Sequence, residues 1–176
     1  MKTLILFLGL MGQMILPAQN ETLNEGMQNY LLSNGTIEYY SNVVDRMFDF
    51  LKNEFEGKNV PESVWTELGQ VKSQGLIDIT EMIIKAYEGH FNDEELRAML
   101  DFYKTETGEN ILLKNELSAD QIKERDDFNA SAIGQKIAVS AESLNNVLQK
   151  ITQEWSADLY SNVIHQLEEK GYSKGE

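Results

Sequence analysis

The chain contains no cysteine. That absence removes in one step a disulfide framework, thiolate catalysis, thiolate-held zinc and iron–sulfur clusters, and a lipid-modified cysteine behind an export signal. Proline is nearly as scarce, with only Pro17 and Pro61. So little punctuation suits helices better than the closely spaced turns of an all-β fold. Histidine is limited to His90 and His165, which leaves few bases for nucleophilic catalysis and few nitrogen ligands for a metal. Positive charge is short as well: 15 lysines and arginines stand against 29 acidic residues, for a formal net charge of −14. Repulsion from phosphate makes nucleic acid and anionic membrane surfaces poor partners.

What is present begins with an N-terminal export pattern. Lys2 precedes the apolar stretch from Leu4 to Met11, and Met14-Ile15-Leu16-Pro17-Ala18 leads to the first polar residues. A cation, an apolar core and a small-residue exit are the parts of a secretory signal peptide. Gly12-Gln13 interrupts the run before it reaches the ~20 residues a membrane span needs. Residues 1–18 are therefore expected to be a signal peptide, and 19–176 an all-helical domain without a transmembrane segment after cleavage.

Helical periodicity dominates that domain. Ile37, Tyr40, Val44, Met47, Phe48, Leu51 and Phe55 recur at intervals of three and four, with Thr36 as the expected N-cap and Gly57 as the stop. A shorter helix is expected over Glu21–Leu32, ending at Ser33-Asn34-Gly35. Pro61 can open the next helix, where its missing N–H costs nothing, and Gly75 is expected to break it. The stripe Leu76, Ile79, Met82, Ile83, Ala86 and Tyr87 follows. Asn92 with Glu95 reads as a capping box, flanked by a hydrophobic staple from Phe91 to Leu96. From Ala141 to Lys170 no proline or glycine intervenes, and Leu144, Val147, Leu148, Ile151, Trp155, Leu159, Val163 and Leu167 keep helical spacing. The fold class this implies is all-α: a single-domain bundle of about five to seven mostly antiparallel helices with a long C-terminal helix.

An internal echo runs through the second half. Phe102, Gly108, Ile111 and Glu116 recur 26 positions later as Phe128, Gly134, Ile137 and Glu142. Each copy reads as a helix end, a bend admitting glycine through positive φ or close helix approach, and an apolar re-entry at isoleucine.

The run His90-Phe91-Asn92-Asp93-Glu94-Glu95-Leu96, then Asp101-Phe102-Tyr103-Lys104-Thr105 and Gly108, resembles the bacterial exported domain-of-unknown-function family 2059. Phe128 to Lys136, with Ser131 and Gly134, is similar to that family's second element. A family-like core is thus expected over about 76–170. The pattern departs at Glu106 and Asn110, where the family often has proline and lysine. The resemblance implies an all-helical exported protein of no established activity, periplasmic or secreted, and a structural motif of Phe91, Leu96, Phe102, Tyr103, Gly108, Phe128 and Gly134. It carries over no catalytic residues.

No motif commits the chain to chemistry. His90 with Glu94 and His165 with Glu169 have helical i,i+4 spacing, but a tight metal site needs three or four convergent ligands. The acidic runs Asp93-Glu94-Glu95, Asp126-Asp127 and Glu168-Glu169 suit solvated helix faces as well as a glycosidase. No Gly-x-Ser-x-Gly elbow, phosphate loop or calcium loop is present. Trp65 and Trp155 read as core, and Tyr39 and Phe50 as surface contacts. No metal or cofactor is called for. The reading leans away from an enzyme and toward a non-enzymatic interaction module of the bacterial envelope, with a second copy or another envelope protein as partner. Tyr160 and Ile164, off the inward stripe of the last helix and four apart, are the candidate interaction surface. A carboxylate-based hydrolase of envelope polymers and a carrier of a small apolar ligand remain the alternatives.

Overall fold

Strong caps and sparse proline translate directly into helices. The computed structural model describes residues 21–173, so the signal peptide expected over 1–18 lies outside the described residues. Among the described residues seven α-helices follow in order: α1 (Leu23–Ser33), α2 (Thr36–Glu54), α3 (Glu62–Glu88), α4 (Asp93–Tyr103), α5 (Glu106–Leu112), α6 (Ala119–Ala130) and α7 (Ala132–Glu169). A 3-10 turn, Glu56–Lys58, separates α2 from α3, and no strand occurs among the described residues. The all-α class and the long C-terminal helix are as the sequence implied.

Three helices begin with a complete capping box: Thr22 with Glu25, Asn92 with Glu95, and Ser118 with Gln121. Each closes two otherwise unsatisfied backbone donors at the helix start. Thr36, expected to cap α2, is instead its first helical residue. Gly35 holds the cap position at φ 80°, and Asn34 Oδ1 accepts the Thr36 N–H at 3.0 Å. A left-handed residue in so short a turn favours glycine. Gly57 sits within the 3-10 turn rather than ending α2, which stops once Phe55 is buried against the core. Pro61 stands at the N-cap of α3.

Gly75 does not break its helix, contrary to expectation, and α3 runs unbroken for 27 residues. A helix interior tolerates glycine at a cost of about 0.5–1 kcal/mol, and here close packing takes up the missing side chain. A Cβ on Gly75 would come within 2.8 Å of Leu159 Cδ1, and Trp155 Nε1 donates to the Gly75 carbonyl at 2.8 Å. α7 likewise starts at Ala132, nine residues earlier than expected, and reaches 38 residues, about 57 Å at the α-helical rise. The contact of Gly75 with Trp155 and Leu159, together with the Lys170–Glu67 ion pair, shows α3 and α7 to be antiparallel.

These two helices form the spine. α1, α2 and α4 pack around it, closing one core from Met27 and Leu31 through Val44, Leu51, Phe55, Leu68, Ile79 and Leu96 to Val163 and Leu167. Each such fully buried aliphatic or aromatic side chain contributes about 1.5–3 kcal/mol. Both tryptophans are core, as read from their spacing, while Tyr39 and Phe50 are more than half exposed. Tyr40 and Thr152 share a hydrogen bond of 2.6 Å that ties α2 to α7. α5 and α6 stand apart from this body, and α6 buries no residue.

Candidate functional site

The two echoed segments form two copies of one elbow. In the first, Thr105 caps α5: its hydroxyl donates to the Phe102 carbonyl at 2.8 Å and accepts the Gly108 N–H at 3.1 Å. In the second, Ser131 both ends α6 and caps α7, donating to the Phe128 carbonyl at 2.6 Å and accepting the Gly134 N–H at 3.2 Å. One hydroxyl thus joins the last turn of one helix to the first turn of the next. The pattern is Phe-x-x-Thr/Ser-x-x-Gly, and glycine is needed because the incoming helix meets backbone. A Cβ at Gly108 or Gly134 would sit 2.2 Å from the carbonyl oxygen of Phe102 or Phe128. Positive φ is not the cause: among the described glycines only Gly35 and Gly171 adopt it. Ile111 and Ile137 re-enter their helices at matching places, whereas Glu116 lies outside any helix and Glu142 within α7.

The elbows meet through their aromatic rings. Phe102 and Phe128 stack with centroids 3.8 Å apart and planes 4° from parallel, and Tyr103 meets Phe128 edge-on at 6.1 Å. Tyr103 contacts Tyr30 at 5.1 Å, Tyr30 contacts Tyr87 at 6.2 Å, and Tyr87 reaches Phe91 at 6.3 Å. An aromatic line therefore runs from α6 into the core. Thr107, fully buried, donates to Glu124 Oε2 at 2.5 Å and clasps α5 to α6.

Beside the first elbow lies a cleft of about 260 Å³ between α1, α4 and α5. Tyr30, Leu100, Tyr103 and Leu112 supply its apolar wall, Leu113 stands 66% exposed at its lip, and Asn29, Ser33, Lys104 and Glu109 supply its polar rim. Lys104 pairs with Glu21, and that bond, followed by one from Asn29, holds the Glu21 carboxyl below its ordinary range. Burial raises the phenols of Tyr30, Tyr87 and Tyr103 above the ordinary tyrosine value, Tyr30 furthest. Glu95 is held low by Lys136 and then by the Asn92 N–H, so the α4 cap is also an ion pair to α7.

Of the motif residues, Phe91 and Leu96 are buried on either side of the α4 cap, Gly108 and Gly134 are buried in the elbows, and Phe102, Tyr103 and Phe128 are half-buried around the stack. Tyr160 and Ile164 lie elsewhere, half-buried on α7 against the core, and the Tyr160 hydroxyl donates to Glu54 Oε2 at 3.3 Å. They offer a partner less apolar area than the sequence suggested. Val139 is the most exposed large apolar residue of that helix, at 85%. The echo of phenylalanine, glycine, isoleucine and glutamate leaves out Thr105 and Ser131, although these two keep its 26-residue shift.

His90 Nδ1 lies 2.8 Å from the Ala86 carbonyl, and His165 Nε2 lies 3.4 Å from Glu169 Oε1, with both side chains exposed. Among the described residues no three His, Asp or Glu side chains gather as metal ligands. No described helix is long and apolar enough to cross a membrane.

Architecture and site together define an all-α bundle with a twin-elbow appendage. Residues 78–116, covering the end of α3, α4, the first elbow and α5, match the model of a bacterial family described as "Uncharacterized protein conserved in bacteria (DUF2059)". That is the family the motif from His90 to Gly108 resembles. The second elbow lies beyond the matched span. No curated protein and no solved structure matched the chain.

Proposed function

We propose that the chain is an exported, non-enzymatic binding module of the bacterial envelope, which engages a protein partner through the cleft between α1, α4 and α5. The observation that carries this is Leu113, left 66% exposed at the lip of an apolar-walled cleft. At about 260 Å³ the cleft falls below the ~300–1,000 Å³ usual for small-molecule sites. It suits an apolar side chain presented by a partner, the kind of anchor that dominates protein interfaces. Glu109 on its rim and the net charge of −14 favour a cation beside that anchor.

The alternatives have less support. A glycosidase uses a carboxyl kept protonated by its surroundings, whereas Asp78 and Asp158, which share a groove of about 480 Å³, are both exposed. A carrier requires an enclosed apolar void, whereas the described clefts open to solvent. Export rests on the pattern of residues 1–18.

The test places a photo-crosslinking residue at Leu113 in the full chain in bacteria, with the same residue at Lys123 on exposed α6 as control. One discrete adduct from position 113, absent from position 123 and lost on Glu109→Arg, is expected. No adduct, or the same adducts from both positions, would reject the cleft as an interface.

A further inference from the structure

The seam between α3 and α7 carries a second feature, independent of the α1–α4–α5 cleft. On α3, Gln70, Gln74 and Asp78 follow one another at intervals of four, and on α7 so do Asp158, Asn162 and Gln166. All six line one groove of about 480 Å³. The helices are antiparallel, and their register is set at one end by Glu67 against Lys170 and further along by Gly75 against Leu159. That register sets Gln70 opposite Gln166, Gln74 opposite Asn162, and Asp78 opposite Asp158. Two polar rails of equal length, about 12 Å by the helical rise, therefore face each other.

The chemistry of the rails is selective. Each is braced internally, Gln74 Nε2 donating to Asp78 Oδ1 at 2.8 Å and Gln166 Nε2 to Asn162 Oδ1 at 3.0 Å. A carboxamide presents both a donor and an acceptor, the complement of a hydroxyl that gives one hydrogen bond and takes others. Val71, Met82 and Leu159 add apolar surface along the groove, suited to the C–H face of a sugar ring. No lysine or arginine lines the groove, so nothing recruits an anion, while the carboxylates of Asp78 and Asp158 mark one end for a cation.

We infer that this groove binds a short oligosaccharide that carries a free amino group, with its hydroxyls between the carboxamides and its ammonium group at Asp78 and Asp158. This holds whether or not the other cleft takes a protein partner.

Titration of the exported protein with a glucosamine tetramer, followed by NMR, tests it. The tetramer is expected to bind at least tenfold more tightly than its N-acetylated counterpart, than spermidine, and than a lysine-containing peptide of equal charge. Gln74→Ala with Asn162→Ala should weaken binding of the tetramer at least tenfold at an unchanged melting temperature. Asp78→Asn with Asp158→Asn should abolish the preference for the free amine. Equal affinity for spermidine would reduce the groove to a cation trap, equal affinity for the peptide would make it a peptide site, and unchanged affinity in the carboxamide variant would remove the rails. Each of these, like a failure of the tetramer to bind at millimolar concentration, overturns the inference.

Discussion

Phe102 and Phe128 stack face to face, 3.8 Å between centroids and 4° from parallel, although they stand 26 positions apart in the chain with the whole of α5 between their helices. The stack is possible because each phenylalanine stands at the same place in its own elbow, three residues before the hydroxyl that closes the bend. Two copies of one local motif thus pack against each other and hold α5 and α6 to the body.

The elbows make a demand on Gly108 and Gly134 that relaxation cannot easily meet. An added Cβ would collide with backbone atoms at 2.2 Å, not with the movable end of a side chain. Gly108→Val and Gly134→Val should each cost about 1–3 kcal/mol, as overpacking does. Gly69→Ala is the opposite case, with nothing within 4 Å of the new methyl and a helical backbone around it. It should gain up to about 1 kcal/mol. Denaturant midpoints of the three variants check both signs, and unchanged midpoints in both valine variants would dismiss the elbow argument.

The buried phenols of Tyr30, Tyr87 and Tyr103 set an alkaline limit. Their folded-state pKa values are raised, first by desolvation, so the unfolded chain releases these protons before the folded one does. Their contribution is complete below the unfolded tyrosine value of about 10 and is lost as pH climbs from there through the raised folded values. Tyr30→Phe removes the most strongly shifted group. Urea titrations across the alkaline range should show a shallower loss of stability in that variant than in the parent chain.

Glu95 acts in the opposite direction. Lys136 and the Asn92 N–H hold its carboxyl low, so its contribution is present above the unfolded glutamate value of about 4.3 and disappears as pH falls through the folded one. Glu95→Gln should destabilise the protein at neutral pH and leave it little changed once the carboxyl is protonated. Parallel melting curves for variant and parent at all pH values would show that the ion pair across α4 and α7 contributes nothing.

Self-association through α7 remains a proposal with a direct readout. Tyr160 and Ile164 are half-buried, so any interface they join must extend over neighbouring surface. Sedimentation of residues 19–176 is expected to show concentration-dependent association that Tyr160→Glu with Ile164→Glu abolishes. A wild-type chain that stays monomeric at high micromolar concentration would exclude this role.

Residues close in sequence determined the class of this protein and the places where its helices begin. A cap is a local contract between a side chain and backbone N–H groups three residues on, so Asn92 with Glu95 was legible without a fold. So was the family resemblance from His90 to Gly108, and the echo that marks both elbows. What stayed hidden depended on partners distant in the chain. Gly75 reads as a breaker until Leu159 and Trp155 close on it. Tyr160 and Ile164 read as exposed until the core half covers them. The candidate cleft and groove belong wholly to tertiary structure. Gln70, Gln74 and Asp78 are an ordinary solvated face on one helix, and only the antiparallel register of α7 sets Asp158, Asn162 and Gln166 opposite them. Periodicity fixes which residues share a helix face, but the pairing of two faces is decided by how the whole core closes.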